Sequence, residues 1–138
     1  MMLKTIYFLG LFFIVPSAFG QTQQEPEALK EDKIYVKTDV PVTYPGGDEA
    51  WNLYVENNRN KTVATDNEAP AGSYTATVKF IIHKDGKMSN LEIVKDPGYG
   101  TGKETLRLVN KARDWIPAKI KNKPVTAYHE VSIHFAVP

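Results

Sequence analysis

Residues 74–95 carry two alternating apolar runs on either side of Lys84-Asp85-Gly86-Lys87, and few folds accommodate that arrangement. Tyr74, Ala76, Val78, Phe80 and Ile82 share one face of the first run, while Thr75, Thr77, Lys79 and His83 share the other. Period-2 alternation of this kind is the signature of a half-buried antiparallel strand. Asp85-Gly86 supplies a turn, with a glycine for positive φ and an aspartate that can bond its own backbone. The chain then returns through 88–95 with Leu91 and Ile93 directed inward, which completes a β-hairpin with a one-sided core.

The opening of the chain predicts its compartment. Residues 1–20 combine Lys4, an apolar run from Ile6 to Val15 and the small-x-small site Ala18-Phe19-Gly20, the anatomy of a secretory signal peptide cleaved before Gln21. The run is shorter than the roughly 20 apolar residues that a spanning helix needs, so no stable membrane span is expected. There is no cysteine, which rules out disulfides, thiol catalysis and lipid attachment at a Cys. Without Lys4 the basic residues equal the 16 acidic ones. Such neutrality argues against nucleic acid, whose binding needs a basic face, and against a polybasic membrane patch.

Beyond the signal peptide come a polar leader, residues 21–43, and one domain, residues 44–138. The leader is rich in Gln and Glu, and its weakly alternating stretch 34–42 could add an edge strand limited by Pro41 and Pro45. Tyr44-Pro45-Gly46-Gly47 breaks the chain ahead of a helix. There Asp48 and Glu49 suit the N-terminus, and Ala50, Trp51, Leu53, Tyr54 and Val55 form an apolar stripe. Residues 59–73 read as a long loop, 103–115 as a second helix stopped by Pro117, and 125–137 as a final strand with Val131, Ile133, Phe135 and Val137 inward. The expectation is an α+β two-layer sandwich in helix, hairpin, helix, strand order, with both helices on one face of a three-stranded antiparallel sheet. At least one edge of so small a sheet is unpaired, and an unpaired edge can accept a peptide strand.

These residues, taken in order, resemble a known family. Tyr44-Pro45-Gly46-Gly47-Asp48-Glu49-Ala50-Trp51, Val78-Lys79-Phe80-Ile81-Ile82 with Asp85-Gly86-Lys87, Asn90-Leu91-Glu92-Ile93-Val94, the Gly-rich loop before Glu104, Trp115-Ile116-Pro117, Lys123-Pro124-Val125 and Ile133-His134-Phe135 look like the C-terminal domain of TonB-family energy transducers. The resemblance covers about residues 44–137. It implies a periplasmic domain that binds the TonB box of outer-membrane receptors by adding a receptor strand beside its last strand. That assigns partner binding to Glu130, Val131, Ser132, Ile133, His134 and Phe135, with no cofactor and no enzymatic activity. The family's strand exchange makes a homodimer conceivable. Ala118 and Asn122 stand where the family commonly has turn glycines, and Asn tolerates the left-handed conformation best after Gly. A full transducer resembles an inner-membrane helix followed by a long Pro-rich spacer. The short leader here leads us to expect instead an unanchored adaptor or competitor, or a part of a larger complex, since about two dozen residues at about 3.5 Å each do not cross a periplasm.

Other chemistries fit less well. Gly98-Tyr99-Gly100-Thr101-Gly102-Lys103 invites a phosphate-loop reading, but Pro97 and Glu104 occupy positions where a Walker A loop needs Gly and Ser or Thr. A tight crossing from strand to helix explains these glycines better. His83, His129 and His134 lack zinc-motif spacing and read as solvated side chains. Ser73, Ser89 and Ser132 have no nucleophile-elbow context. Trp51 and Trp115 read as core. Were they exposed, a glycan- or cell-wall-binding module, helped by the seven tyrosines, would be the alternative to a peptide-binding or purely structural role.

Overall fold

Two glycines set where the first helix begins. Gly46 and Gly47 both take positive φ (88° and 80°), and α1 (Gly47–Asn58) follows with Asp48 and Glu49 in its first turn. A methyl group at Gly46 would lie 2.7 Å from the Ala50 Cβ, so only glycine fits this entrance. The computed structural model describes residues 32–138. The expected signal peptide and residues 21–31 of the expected leader lie outside the described residues.

After α1 come α2 (Val63–Asp66), β1 (Gly72–Ile82), β2 (Met88–Lys95), α3 (Thr101–Lys111), β3 (Ala118–Ile120), β4 (Lys123–Val125) and β5 (Ala127–Val137). The chain is α+β, with a three-stranded antiparallel sheet in the order β2-β1-β5 and a separate β3-β4 ribbon. β1 is central. It pairs without interruption along β5, from Gly72 opposite Val137 to Ile82 opposite Ala127, whereas its pairing with β2 is interrupted by register shifts. Alternation delivers Ala76, Val78, Phe80 and Ile82 to the core with Val131, Ile133 and Phe135, and α3 adds Leu108 and Val109. Ile81 is an exception, buried although its neighbours on that face are polar or half-exposed.

The structure departs from the sequence-based expectations in four places. α3 ends at Lys111 rather than at Trp115. Ala112 is already extended (φ −67°, ψ 136°) and Asp114 left-handed (φ 64°), so the chain unwinds and lets the Trp115 ring drop into the core 5.1 Å from Phe80. Second, the expected turn at 121–124 is the tip of the β3-β4 ribbon, where Lys121 and Asn122 both take positive φ as a two-residue hairpin turn requires, and the last strand begins at Ala127. Third, the expected loop 59–73 contains the single turn α2, in which the Thr62 hydroxyl bonds Asp66 at 2.8 Å and Ala64 is buried. Fourth, residues 34–43 form no strand. They make isolated bridges, Tyr35 parallel to Ala127, then Val40 and Thr43 antiparallel to Lys119 and Ile116.

α1 is held by rings rather than by a continuous apolar face. None of its residues is fully buried, and Leu53, expected on its apolar stripe, is 59% exposed. Trp51 and Tyr54 instead join Tyr44, and Trp51 lies 5.2 Å from Trp115, at contact distances typical of aromatic pairs. The Tyr54 hydroxyl donates to the Leu108 carbonyl at 2.8 Å, tying α1 to α3.

Candidate functional site

The free edge of β5 is defined by two hydrogen bonds at its start. Tyr35 donates to the Thr126 carbonyl at 2.9 Å, and the Tyr128 N–H donates to the Tyr35 carbonyl at 3.0 Å. Those groups therefore point away from β1. Because successive residues of a strand alternate, the backbone N–H and C=O groups of Glu130, Ser132, His134 and Ala136 point the same way. Beyond Tyr128 the leader turns off towards β3, and no backbone partner meets these four residues among the described ones.

The six residues expected to bind a partner lie consecutively in β5 and divide by alternation. Val131, Ile133 and Phe135 are core residues at 6%, 4% and 5% exposure, so they hold the strand in place. Glu130, Ser132 and His134 are exposed on the opposite face. Cross-strand contacts order that face: the Ser132 and Thr77 hydroxyls lie 2.8 Å apart, His134 Nδ1 lies 2.7 Å from the Thr75 hydroxyl, and Lys79 Nζ sits 4.2 Å over the Tyr128 ring. A groove of about 240 Å³ runs between α1 and the edge, bounded by Trp51, Asn52, Val55 and Glu56 on one side and Ser132 and His134 on the other.

The C-terminal end of this edge carries a contact that the sequence did not reveal. Arg59, the residue after α1, donates from Nη1 to the His134 carbonyl at 3.2 Å and from Nη2 to Glu56 at 3.0 Å. Its neighbours are pinned by α3. Glu104, only 7% exposed, accepts the Asn60 N–H at 2.7 Å and two bonds from Arg107, at 2.6 and 2.8 Å, while Arg107 also reaches the Asn58 carbonyl at 2.8 Å. Burial acts to raise the Glu104 carboxyl, but the Arg107 and Asn60 hydrogen bonds together with the Arg107 and Lys111 charges outweigh it and hold the group below the usual carboxylate range. Glu56 is likewise held low, first by its hydrogen bond from Lys61 and then by Arg59. Glu104 and Arg107 stand at helical i, i+3 spacing, an ordinary surface pattern that gives no hint of burial.

The other candidates resolve structurally. Gly98, Tyr99 and Gly100 take positive φ in succession (90°, 56° and 75°), and a methyl group at Gly100 would lie 3.0 Å from Val63 Cγ2. The loop thus makes the tight crossing from β2 into α3 and packs against α2. His83 bonds Ser89 at 2.6 Å and His134 bonds Thr75, but His129 is half-buried rather than fully solvated. It lies on the core side of β5 within 5.5 Å of Phe80 and 5.6 Å of Trp115, and burial lowers its pKa against the opposing charges of Asp48 and Glu130. The alternation that placed Val131 and Ile133 inward applies equally to position 129, so the signal was in the sequence. Trp115 is 4% exposed, and Trp51 is half-buried among Tyr44, Tyr54 and Trp115.

Residues 74–137, from β1 through β5, match the family model described as the Gram-negative bacterial TonB protein C-terminal. Residues 74–137 thus form a TonB C-terminal domain. No curated protein and no solved structure matches it. TonB C-terminal domains are non-enzymatic protein-interaction domains of the periplasm, linked to TonB-dependent transport and, in general, to outer-membrane receptors. Among the described residues no helix is long and apolar enough to cross a membrane.

Proposed function

We infer that this TonB C-terminal domain recognises the TonB box of an outer-membrane receptor, or a similar extended envelope segment, by strand addition along β5. The reading rests above all on one observation: Glu130, Ser132, His134 and Ala136 turn their backbone groups away from β1, with no backbone partner among the described residues. An extended peptide lying in the groove beside α1 would take up these groups and extend the sheet to four strands. Each such bond contributes about 1 kcal/mol net. The main chain alone therefore gives modest affinity, and contacts from the groove walls, Asn52 and Val55, supply the selectivity. Export by cleavage near Gly20 and Gln21, followed by a polar leader up to position 43, belongs to the same proposal.

A photo-crosslinkable side chain at Ser132 tests the reading in the intact envelope. Capture of receptor N-terminal segments is the expected result. Capture of nothing, or of this protein alone, removes strand addition as its function.

A further inference from the structure

The strand-addition reading leaves one contact unexplained, because the edge offered to a partner is already partly taken. Arg59 Nη1 holds the His134 carbonyl, one of the outward-pointing acceptors that an incoming strand would need. The bond is charge-assisted and so stronger than the neutral amide bond that would replace it. Nor is Arg59 a loosely draped side chain. It is about three-quarters buried, with its Nε shielded from solvent, and Glu56 holds its other nitrogen. The Asn58 carbonyl before it and the Asn60 N–H after it are both fixed to α3 by Arg107 and Glu104. At the other end of the edge, Tyr35 occupies Thr126 and Tyr128. Between these two contacts the outward backbone groups of Glu130 and Ser132 have no partner among the described residues, and Ala136 lies beyond.

We propose that Arg59 is a latch on the β5 edge, and that a segment adding to β5 does so only by displacing the Arg59 guanidinium from the His134 carbonyl. The latch rests on the strand-addition reading and sets its threshold. A long unguarded edge pairs with any extended chain, including a second copy. An edge interrupted by a side chain admits only a segment whose other contacts outweigh the loss. Because Arg59 also bonds Glu56, the strength of the latch depends on a carboxylate that makes no contact with the edge itself.

The test titrates a synthetic peptide spanning a TonB box into isotopically labelled protein, in wild type, Arg59→Ala and Glu56→Gln, and follows the amides of 130–136 together with the His134 carbonyl. In Arg59→Ala the His134 carbonyl resonance moves before any peptide is added, and the peptide binds about tenfold more tightly, equivalent to about 1.4 kcal/mol. Glu56→Gln, which keeps the arginine but frees it, gives a smaller gain of the same sign and carries the test if Arg59→Ala folds poorly. Equal or weaker binding by the variants, with wild-type shifts intact at 130–136, overturns the latch and leaves strand addition standing. An absence of shifts at 130–136 in all three proteins removes strand addition and the latch with it.

Discussion

Glu104→Gln is the most informative stability perturbation, because it leaves the shape of the side chain and removes its charge. In the wild type one oxygen accepts the Asn60 N–H and one Arg107 nitrogen, and the other oxygen accepts a second Arg107 nitrogen. A glutamine presents an amide NH2 on one side, donor against donor. Hydrogen bonds to charged groups contribute about 1.5–3 kcal/mol, and loss of one partner of a fully buried pair costs about 3–5. Arg107 is 40% exposed and can rehydrate, so the lower figure applies, at about 2 kcal/mol. For a domain of this size that corresponds to a fall in Tm of about 10 °C. The effect has a pH signature. The folded carboxyl is held below its unfolded value, so its stabilisation is complete above the ordinary carboxylate range, about 4.3, and is lost as pH falls through the lower folded value. Urea unfolding of both proteins at pH 7 and at pH 3 tests this. The gap between them should be about 2 kcal/mol at pH 7 and should shrink in acid. A gap below about 0.5 kcal/mol at pH 7, or one that does not change with pH, refutes the assignment of a buried charged staple.

Two further outcomes follow from local geometry. Gly46→Ala and Gly47→Ala share the left-handed penalty of about 1–2 kcal/mol, but only the first also drives a methyl against Ala50 at 2.7 Å, so thermal melts should rank Gly46→Ala as the more damaging by at least about 1 kcal/mol. Equal losses would refute the contact. His129 takes up a proton less readily in the folded state than its ordinary value of 6.5, chiefly because it is buried, so the unfolded chain binds more protons below that pH and stability declines as pH is lowered from there. An imidazole titration followed by NMR checks it, and a His129 midpoint at or above 6.5 would contradict the burial argument.

Local signals were strong where each element satisfies its own sequence. The hairpin shows period-2 alternation and an Asp-Gly turn, α1 opens at a glycine pair with two acids in its first turn, and β5 alternates cleanly from Glu130 to Ala136. Sequence signals failed where a distant contact decides the outcome. The helical spacing of Leu108, Ala112 and Trp115 runs on past Lys111, yet the core claims the Trp115 ring and the backbone gives way. Strands of three residues, as in β3 and β4, are too short to display a period. At the candidate site, the family resemblance pointed to residues 130–135, but the Arg59 contact did not follow from it. Arg59 meets His134 across 75 positions of sequence, through a loop whose placement depends on the buried Glu104.

The register of the central strand also governs the order in which the domain can be assembled. β1 finds β2 across a short turn, but its other neighbour arrives only with Ala127 to Val137, after α3 and the β3-β4 ribbon have been traversed. Closing that loop carries most of the topological entropy of the sheet. Until it closes, β1 presents Val78 and Phe80 beside an unsatisfied backbone, a species prone to wrong pairing. The strand whose outer edge is proposed to take a partner is thus the same strand whose inner edge completes the fold, and a chain still waiting for β5 exposes two pairing edges that compete for any extended segment nearby.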